Sequence, residues 1–345
     1  MNPIINFILL FSMMAGTILA MTSHHWVYAW LGLELNTLAI IPIISKTHHP
    51  RATEASTKYF LIQAISSALF LLSGITNAYL YGTWDINHLS NNFSKILLTI
   101  ALATKLGLAP VHFWLPEVLQ GVPILTALII ATWQKVAPMA LLIMTWNLIP
   151  TPITLTMGLL STIIGGLGGL NQTPLRKMMA YSSIAHLGWM VIIITIAPNL
   201  TLLNLTLYMI FTSSAMLTMH LTISKTLQNA MHISHHSPII TSLFLLSLLS
   251  LGGLPPMSGF SPKWLILQEL TLHHLTPLAL SMALMALLSL MFYLRATYIS
   301  TMTLSPSIIT LKTTWRLKSV STTSSLSMLT PPSLLILPIM PLLIQ

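Results

Sequence analysis

Four ionisable residues lie where charge is least stable. Glu34 sits in WLGLELNTLAII, Lys105 in ALATKLGLAP, Lys135 in ATWQKVAPMALL and Lys263 in SGFSPKWLIL, each well inside an apolar stretch. A charged side chain at the centre of a membrane helix costs about 2.5–3.5 kcal/mol, and four cost on the order of 10 kcal/mol unless they pair or meet water. The plainest reading is a structural ion pair between Glu34 and one lysine. One carboxylate cannot neutralise three lysines, so that reading leaves charge over. Burial and a nearby carboxylate act oppositely on a lysine's hold on its proton. Moving a carboxylate or a water can therefore switch its charge, which is the chemistry of a proton relay.

Other chemistry is thinly represented. The chain has no cysteine, which excludes a disulfide framework, a thiolate-held Fe–S cluster and Cys-ligated zinc. No serine or cysteine nucleophile motif is visible. His112 and His186 fall within or at the ends of membrane segments, and His220 near another end. Imidazole shuttles protons near neutral pH, but a membrane histidine serves equally as a helix–helix hydrogen bonder, and both readings stand. The other ten histidines cluster in loops, which argues against bis-His haem, and pairs such as His235-His236 read as solvated rather than metal-binding. Glu117 is expected near a surface, as a helix-end charge or at the start of a proton path. Asp85 and Glu269 are expected at loops or span ends. The 21 methionines read as packing.

Prolines flank the lysines. A helix proline frees the carbonyl four residues back. On that rule Pro110 frees Leu106, Pro138 frees Gln134 and Pro262 frees Ser258, each close to a buried lysine. Freed carbonyls can hold water where the backbone lines a protein-buried cavity.

The elements that must position these groups follow from composition. The chain has 345 residues, 54% hydrophobic and 6% charged, with mean hydropathy +0.83. A soluble domain needs about 25% charged residues. A soluble enzyme, a nucleic-acid binder and a disordered tail are excluded. The expected fold class is an all-α polytopic membrane protein, because helices satisfy their own backbone in lipid.

Taking about 20 apolar residues per span, eleven spans are expected: 3–21, 26–45, 58–80, 95–117, 122–145, 151–170, 177–197, 201–223, 238–271, 275–298 and 325–343. The ninth is too long to be one straight helix and is expected to be broken. The eleventh carries four prolines and could lie at the interface.

The basic residues support this count. Lys46, Arg51, Lys58, Arg176, Lys177, Lys225, Arg295, Lys312, Arg316 and Lys318 fall on the side of the N-terminus, and only Lys95 falls on the other. The net charge of +9 is thus topology information rather than the mark of an anionic partner. It places the N-terminus on the matrix or cytoplasmic side and, with an odd number of spans, the C-terminus opposite. The first Lys or Arg is Lys46, so the N-terminus reads as a span, with neither a basic signal n-region nor an Arg-rich transit peptide. The polar stretch 299–322 reads as a headgroup-facing loop or interfacial helix.

An internal match joins the two halves. Residues 107–117, GLAPVHFWLPE, align without gaps on 253–263, GLPPMSGFSPK, and SSALF at 66–70 lies over SSAML at 213–217. The longer match falls in the fourth and ninth spans. An odd separation gives opposite orientation, the pattern of inverted repeats with interrupted helices. The expected organisation is a first five-helix repeat at 1–150 with its broken helix near 105–117, a second at 151–300 with its broken helix near 253–263, and a polar loop with a C-terminal helix at 301–345.

The segments KLGLAPVHFWLPEVLQG (105–121), TWQKVAP (132–138), GGLNQTPLRKMMAYSSIAHLGWM (168–190) and LSLGGLPPMSGFSPKW (249–264) resemble the antiporter-like membrane subunits of mitochondrial NADH:ubiquinone oxidoreductase, respiratory complex I. The resemblance runs along nearly the whole chain. Eleven spans fit the shortened animal form, which resembles the fourteen-span bacterial subunit without its first three helices, and the lack of a presequence fits an organelle-encoded chain.

The resemblance implies that Glu34, Lys105, Lys135 and Lys263 match the family's buried glutamate and three lysines. It implies a mitochondrial inner-membrane location and no cofactor in this chain. NADH, FMN, Fe–S clusters and ubiquinone are handled by other subunits. Implied partners are other membrane-arm subunits, including antiporter-like chains and a lateral helix, together with phospholipids and no nucleic acid. The expected path brings protons from the charged side to Lys105, modulated by Glu34, then through Lys135 to Lys263 and out, with His112 and His186 as further candidate members. The alternatives are a cation/proton antiporter subunit and a structural scaffold without its own path.

Overall fold

The computed structural model describes residues 3–46, 48–222, 224–229, 238–302 and 324–340. His232, His235, His236, Lys312, Arg316 and Lys318, most of the polar loop and the last five residues lie outside that set. The described chain is helical: α1 Pro3–Thr22, α2 Trp26–Ser45, α3 Pro50–Tyr81, α4 Asn92–Leu106, α5 Trp114–Gly121, α6 Ile124–Ala131, α7 Trp133–Met144, α8 Thr151–Gly169, α9 Leu175–Ile193, α10 Pro198–Leu221, α11 Pro238–Gly252, α12 Phe260–Leu272, α13 Thr276–Met302 and α14 Ser324–Leu335. Among the described residues seven helical stretches are long and apolar enough to cross a membrane, one of them formed by α6 and α7 together. The molecule is a multi-pass membrane protein. It divides into two compact units, one of residues 1–161 with 187–201 and one of residues 162–186 with 202–345.

Local chemistry sets the helix ends. α3 starts at Pro50, eight residues before the expected span. A proline suits the first helical position because the missing N–H is needed by no one there, and the His49 ring caps the Arg51 N–H at 3.2 Å. The added turns carry Arg51 and Glu54, just ahead of Lys58. α3 stops at Gly82, whose φ of 71° lets its N–H reach the Ala78 carbonyl at 2.8 Å. Asn91 caps α4 through the Phe93 N–H at 3.1 Å.

α1 and α2 pack with their backbones nearly touching. A Cβ on Gly32 would lie 2.7 Å from the Ala20 nitrogen, and one on Gly16 would lie 2.9 Å from the Gly32 carbonyl. Small residues permit such close approach where lipid provides no hydrophobic drive between helices. The outer side of α1 shows Ile4, Phe7, Ile8, Phe11 and Ile18, all exposed, an apolar face suited to lipid or another apolar surface.

Both expected broken helices are interrupted. α4 closes with the Leu108 N–H on the Ala103 carbonyl (2.9 Å) and the Gly107 N–H on the Thr104 carbonyl (3.2 Å), the two bonds of a Schellman ending. Gly107 has φ 78°, and Gly253, its partner in the sequence match, has φ 79° after α11. The chain resumes as α5 in the first case and as α12 in the second.

The span expected over 122–145 differs from the sequence reading, because it is interrupted at Thr132 between α6 and α7. The Thr132 hydroxyl donates to the Leu128 carbonyl at 2.7 Å, a side-chain bond of the kind that bends helices. The proline rule needs a correction too. Of the three prolines beside lysines, only Pro138 lies within a continuous helix. Pro110 sits in the first break. Pro262 lies in the first turn of α12, and the Ser258 carbonyl is not freed: it accepts both the N–H (3.3 Å) and the hydroxyl (2.6 Å) of Ser261.

Candidate functional site

In the first unit six helices, α2 to α7, converge on one buried cavity. α2 contributes Leu33, Asn36 and Thr37, and α3 contributes Tyr59 and Gln63. Lys105 and Leu106 come from the end of α4, and Trp114 and Leu115 from the start of α5. Ile130 closes it from α6, with Gln134, Lys135 and Pro138 from α7. Two of the four expected relay residues, Lys105 and Lys135, therefore line one chamber although thirty residues separate them. The chamber leaves about 20 Å³ for the centre of a water molecule, room for one.

Lys105 is 6% exposed, and its Nζ is buried with no hydrogen-bond partner. Lys135 is 4% exposed. The Asn36 side chain is buried with neither its amide nitrogen nor its oxygen bonded. Buried polar groups left unsatisfied are rare because each costs its full desolvation, and three such atoms around one chamber offer partners to a water molecule held there.

Long polar contacts tie the walls together. The Tyr59 hydroxyl donates to Gln134 Oε1 at 3.4 Å, and Gln134 Nε2 donates to the Asn36 carbonyl at 3.4 Å. Gln63 Nε2 donates to the Lys105 carbonyl at 3.5 Å, and Trp114 Nε1 to the Thr104 carbonyl at 3.2 Å.

Glu34 stands just outside this lining, half-buried on α2. The Thr37 hydroxyl lies 3.0 Å from its carboxylate, which joins Glu34 to the chamber wall. Glu34 and Lys105 do not form the direct ion pair the sequence suggests, since the Lys105 Nζ has no bonded partner. Lys58 holds two ion pairs, with Glu54 at 2.6 Å and Glu117 at 2.7 Å. Glu117 lies at a surface, as expected.

His112 is buried in the first break, its Nδ1 3.2 Å from the Pro110 carbonyl and its ring 4.2 Å from that of Phe113. It does not line the chamber.

In the second unit Lys263 follows the break instead of preceding it. Its Nζ donates to the Gly252 carbonyl at 2.8 Å. That carbonyl ends α11, where a cation meets the negative end of the helix dipole. His186 is buried with its ring 5.6 Å from that of Tyr208. Among the described residues no group of three or more His, Asp or Glu is placed to hold a metal ion.

The sequence reading missed Asn36, Thr37, Tyr59, Gln63 and Gln134. The available signal was the spacing of polar residues in apolar spans: Leu33, Asn36 and Thr37 share one helix face, as do Tyr59 and Gln63.

Comparisons with known proteins agree with this architecture. Residues 23–291 match the family described as NADH:quinone oxidoreductase/Mrp antiporter, TM, and residues 290–344 match that described as NADH dehydrogenase subunit 2 C-terminus. NADH-ubiquinone oxidoreductase chain 2 of Varanus timorensis is 79% identical over the full length of both chains. Among solved structures, respiratory complex I from Thermus thermophilus with bound aureothin contains a chain that superposes with TM-score 0.82 at 24% identity, covering 98% of this chain and 80% of that one. The Mrp complex from Dietzia sp. superposes with TM-score 0.74 at 17% identity, covering 84% and 59%. These two likenesses show a shared fold. The family matches and the full-length relative show that the chain belongs to the NADH:quinone oxidoreductase/Mrp antiporter family and, within it, to the NADH-ubiquinone oxidoreductase chain 2 proteins.

Proposed function

We propose that the chain is a proton-translocating, antiporter-like subunit in the membrane arm of NADH-ubiquinone oxidoreductase, and that its own contribution is a buried relay through Glu34, Lys105, Lys135 and Lys263. The observation that carries this reading is the chamber that holds Lys105 and Lys135 together, with the Lys105 ammonium buried and unpartnered. A fixed structural cation would have a bonded counter-ion there, because an unpaired buried charge is strongly destabilising. A group that gains and loses its proton needs a chamber able to admit water.

Glu34 acts on Lys105 through space and through Thr37. The onward step to Lys263 rests on the sequence match of the two halves, which also supports the inverted-repeat organisation: the matched glycines 107 and 253 adopt the same positive φ. His112 and His186 remain candidate members of the path, outside the chamber. Redox chemistry, with NADH, FMN, Fe–S clusters and ubiquinone, belongs to other subunits, which bias these charge states from a distance. The chain lies in the mitochondrial inner membrane against other membrane-arm subunits, a lateral helix and phospholipids, with its N-terminus in the matrix.

The scaffold alternative is separated by the double variant Glu34→Gln, Lys105→Met. If the charges only lock helices, neutralising both leaves an assembled complex with unchanged proton yield per NADH oxidised. The relay predicts an assembled complex with a lower yield. An antiporter reading instead requires ion-dependent transport by the isolated chain.

A further inference from the structure

An ionic cluster that the relay does not use lies outside the chamber. Lys58 Nζ is 2.6 Å from a Glu54 oxygen and 2.7 Å from a Glu117 oxygen. With Arg51 and Gln120 these groups line an open recess of about 300 Å³. The side chains of Lys58 and Glu117 are 40% and 54% exposed. Ion pairs this exposed contribute little to stability, so holding the fold does not account for the cluster.

The same two helices line the recess and the chamber. α3 presents Arg51, Glu54 and Lys58 to the recess and Tyr59 and Gln63 to the chamber. α5 presents Glu117 and Gln120 to the recess and Trp114 and Leu115 to the chamber. Glu117 is three residues from Trp114, about 4.5 Å by helical rise. The helices press together beside the cluster, where a Cβ on Gly121 would lie 2.8 Å from both Ala55 Cβ and the Arg51 carbonyl. Tyr59 and Trp114 are both buried and meet edge to face, with centroids 5.7 Å apart. Both rings line the same chamber as the unpartnered Lys105 ammonium.

We propose that the Glu54–Lys58–Glu117 recess is the proton-uptake mouth of the chamber and that the Tyr59–Trp114 pair is the closed gate between them. The inference rests on the relay reading. Glu117 takes a proton from bulk water and becomes a neutral carboxyl, while Lys58 stays on Glu54. When the ring pair parts, that O–H bond breaks and the proton passes through water to Lys105 in its amine form, making a new N–H bond. Glu117 returns to carboxylate and regains Lys58. Lys58 thereby resets the mouth after each transfer, and two carboxylates on one lysine leave it partnered throughout.

The test uses the assembled complex in membrane vesicles and reads the rate of NADH oxidation by quinone. Glu117→Gln removes the proton-accepting oxygen but keeps size and hydrogen bonding. The expected result is several-fold slower turnover, restored by millimolar sodium azide, whose small conjugate acid carries protons in place of the carboxyl. Lys135→Met is the comparator, and azide is expected not to restore it. If Glu117→Gln fails to assemble, the neutral pair Lys58→Gln, Glu117→Gln keeps a hydrogen-bonded contact between the helices and is expected to show the same azide-restored loss. Wild-type turnover in Glu117→Gln, or a loss that azide leaves untouched, overturns the proposal. If Lys135→Met slows turnover and Glu117→Gln does not, only the uptake mouth falls. If both turn over and pump as the wild type, the relay reading falls with it.

Discussion

Lys105 and Lys263 belong to corresponding breaks yet meet their surroundings in opposite ways. Lys263 caps the last carbonyl of α11 at 2.8 Å, whereas the Lys105 ammonium has no partner. A bond from a charged donor is worth about 1.5–3 kcal/mol, so Lys263→Met is expected to reduce the assembled amount of the complex, and Lys263→Arg to retain most of it, as read on native gels. Lys105→Met removes an uncompensated charge, and its assembly is expected to match the wild type. Asn36 offers a sharper separation of structure from function. Its buried, unbonded amide costs about 1–3 kcal/mol, so Asn36→Leu is expected to assemble as well as the wild type or better while translocating fewer protons per NADH. The charged members of this site were legible in the sequence because a lysine or glutamate inside an apolar span is costly wherever it points. Asn36, Tyr59, Gln63 and Gln134 were not, since neutral polar residues are common in membrane helices and only tertiary packing selects those that face a chamber.

At the scale of elements, the two breaks depend on glycine. Gly107 and Gly253 have φ near +78°, a conformation that costs other L-residues roughly 1–2 kcal/mol. Gly107→Ala is expected to destabilise the chain by about that much, with added crowding because its Cβ would lie 3.0 Å from Leu115 Cδ1. Gly253→Ala carries the same backbone strain and places its Cβ 3.0 Å from Lys263 Nζ. It is therefore expected to lower proton yield as well as the assembled amount, a combination visible when pumping is normalised to intact complex. The breaks could be read ahead of the structure because Gly, Leu and Pro recur at matching positions in both halves. The interruption at Thr132 and the early start of α3 could not. The first depends on a hydroxyl taking the Leu128 carbonyl, and the second on a cap at His49 that extends the helix into polar sequence. That extension is what brings Glu54 to Lys58, which also holds Glu117.

For the whole molecule, the bias of Lys and Arg fixes a testable orientation. The chain has no cysteine, so single cysteines report their side of the membrane without background. His48→Cys, in the exposed turn before α3, is expected to react with a membrane-impermeant maleimide only from the matrix. Ser90→Cys, in the exposed turn before α4, is expected to react only from the intermembrane side. Labelling in the reverse sense would invert the direction of the path. The central claim is that this chain moves protons through its own buried lysines, and Lys135 probes it most directly, because it lines the chamber yet lies on a different helix from both breaks. The decisive measurement is the number of protons translocated per NADH oxidised in sealed vesicles containing fully assembled Lys135→Met complex. The relay predicts a lower number than the wild type, and an equal number in an intact complex would contradict it.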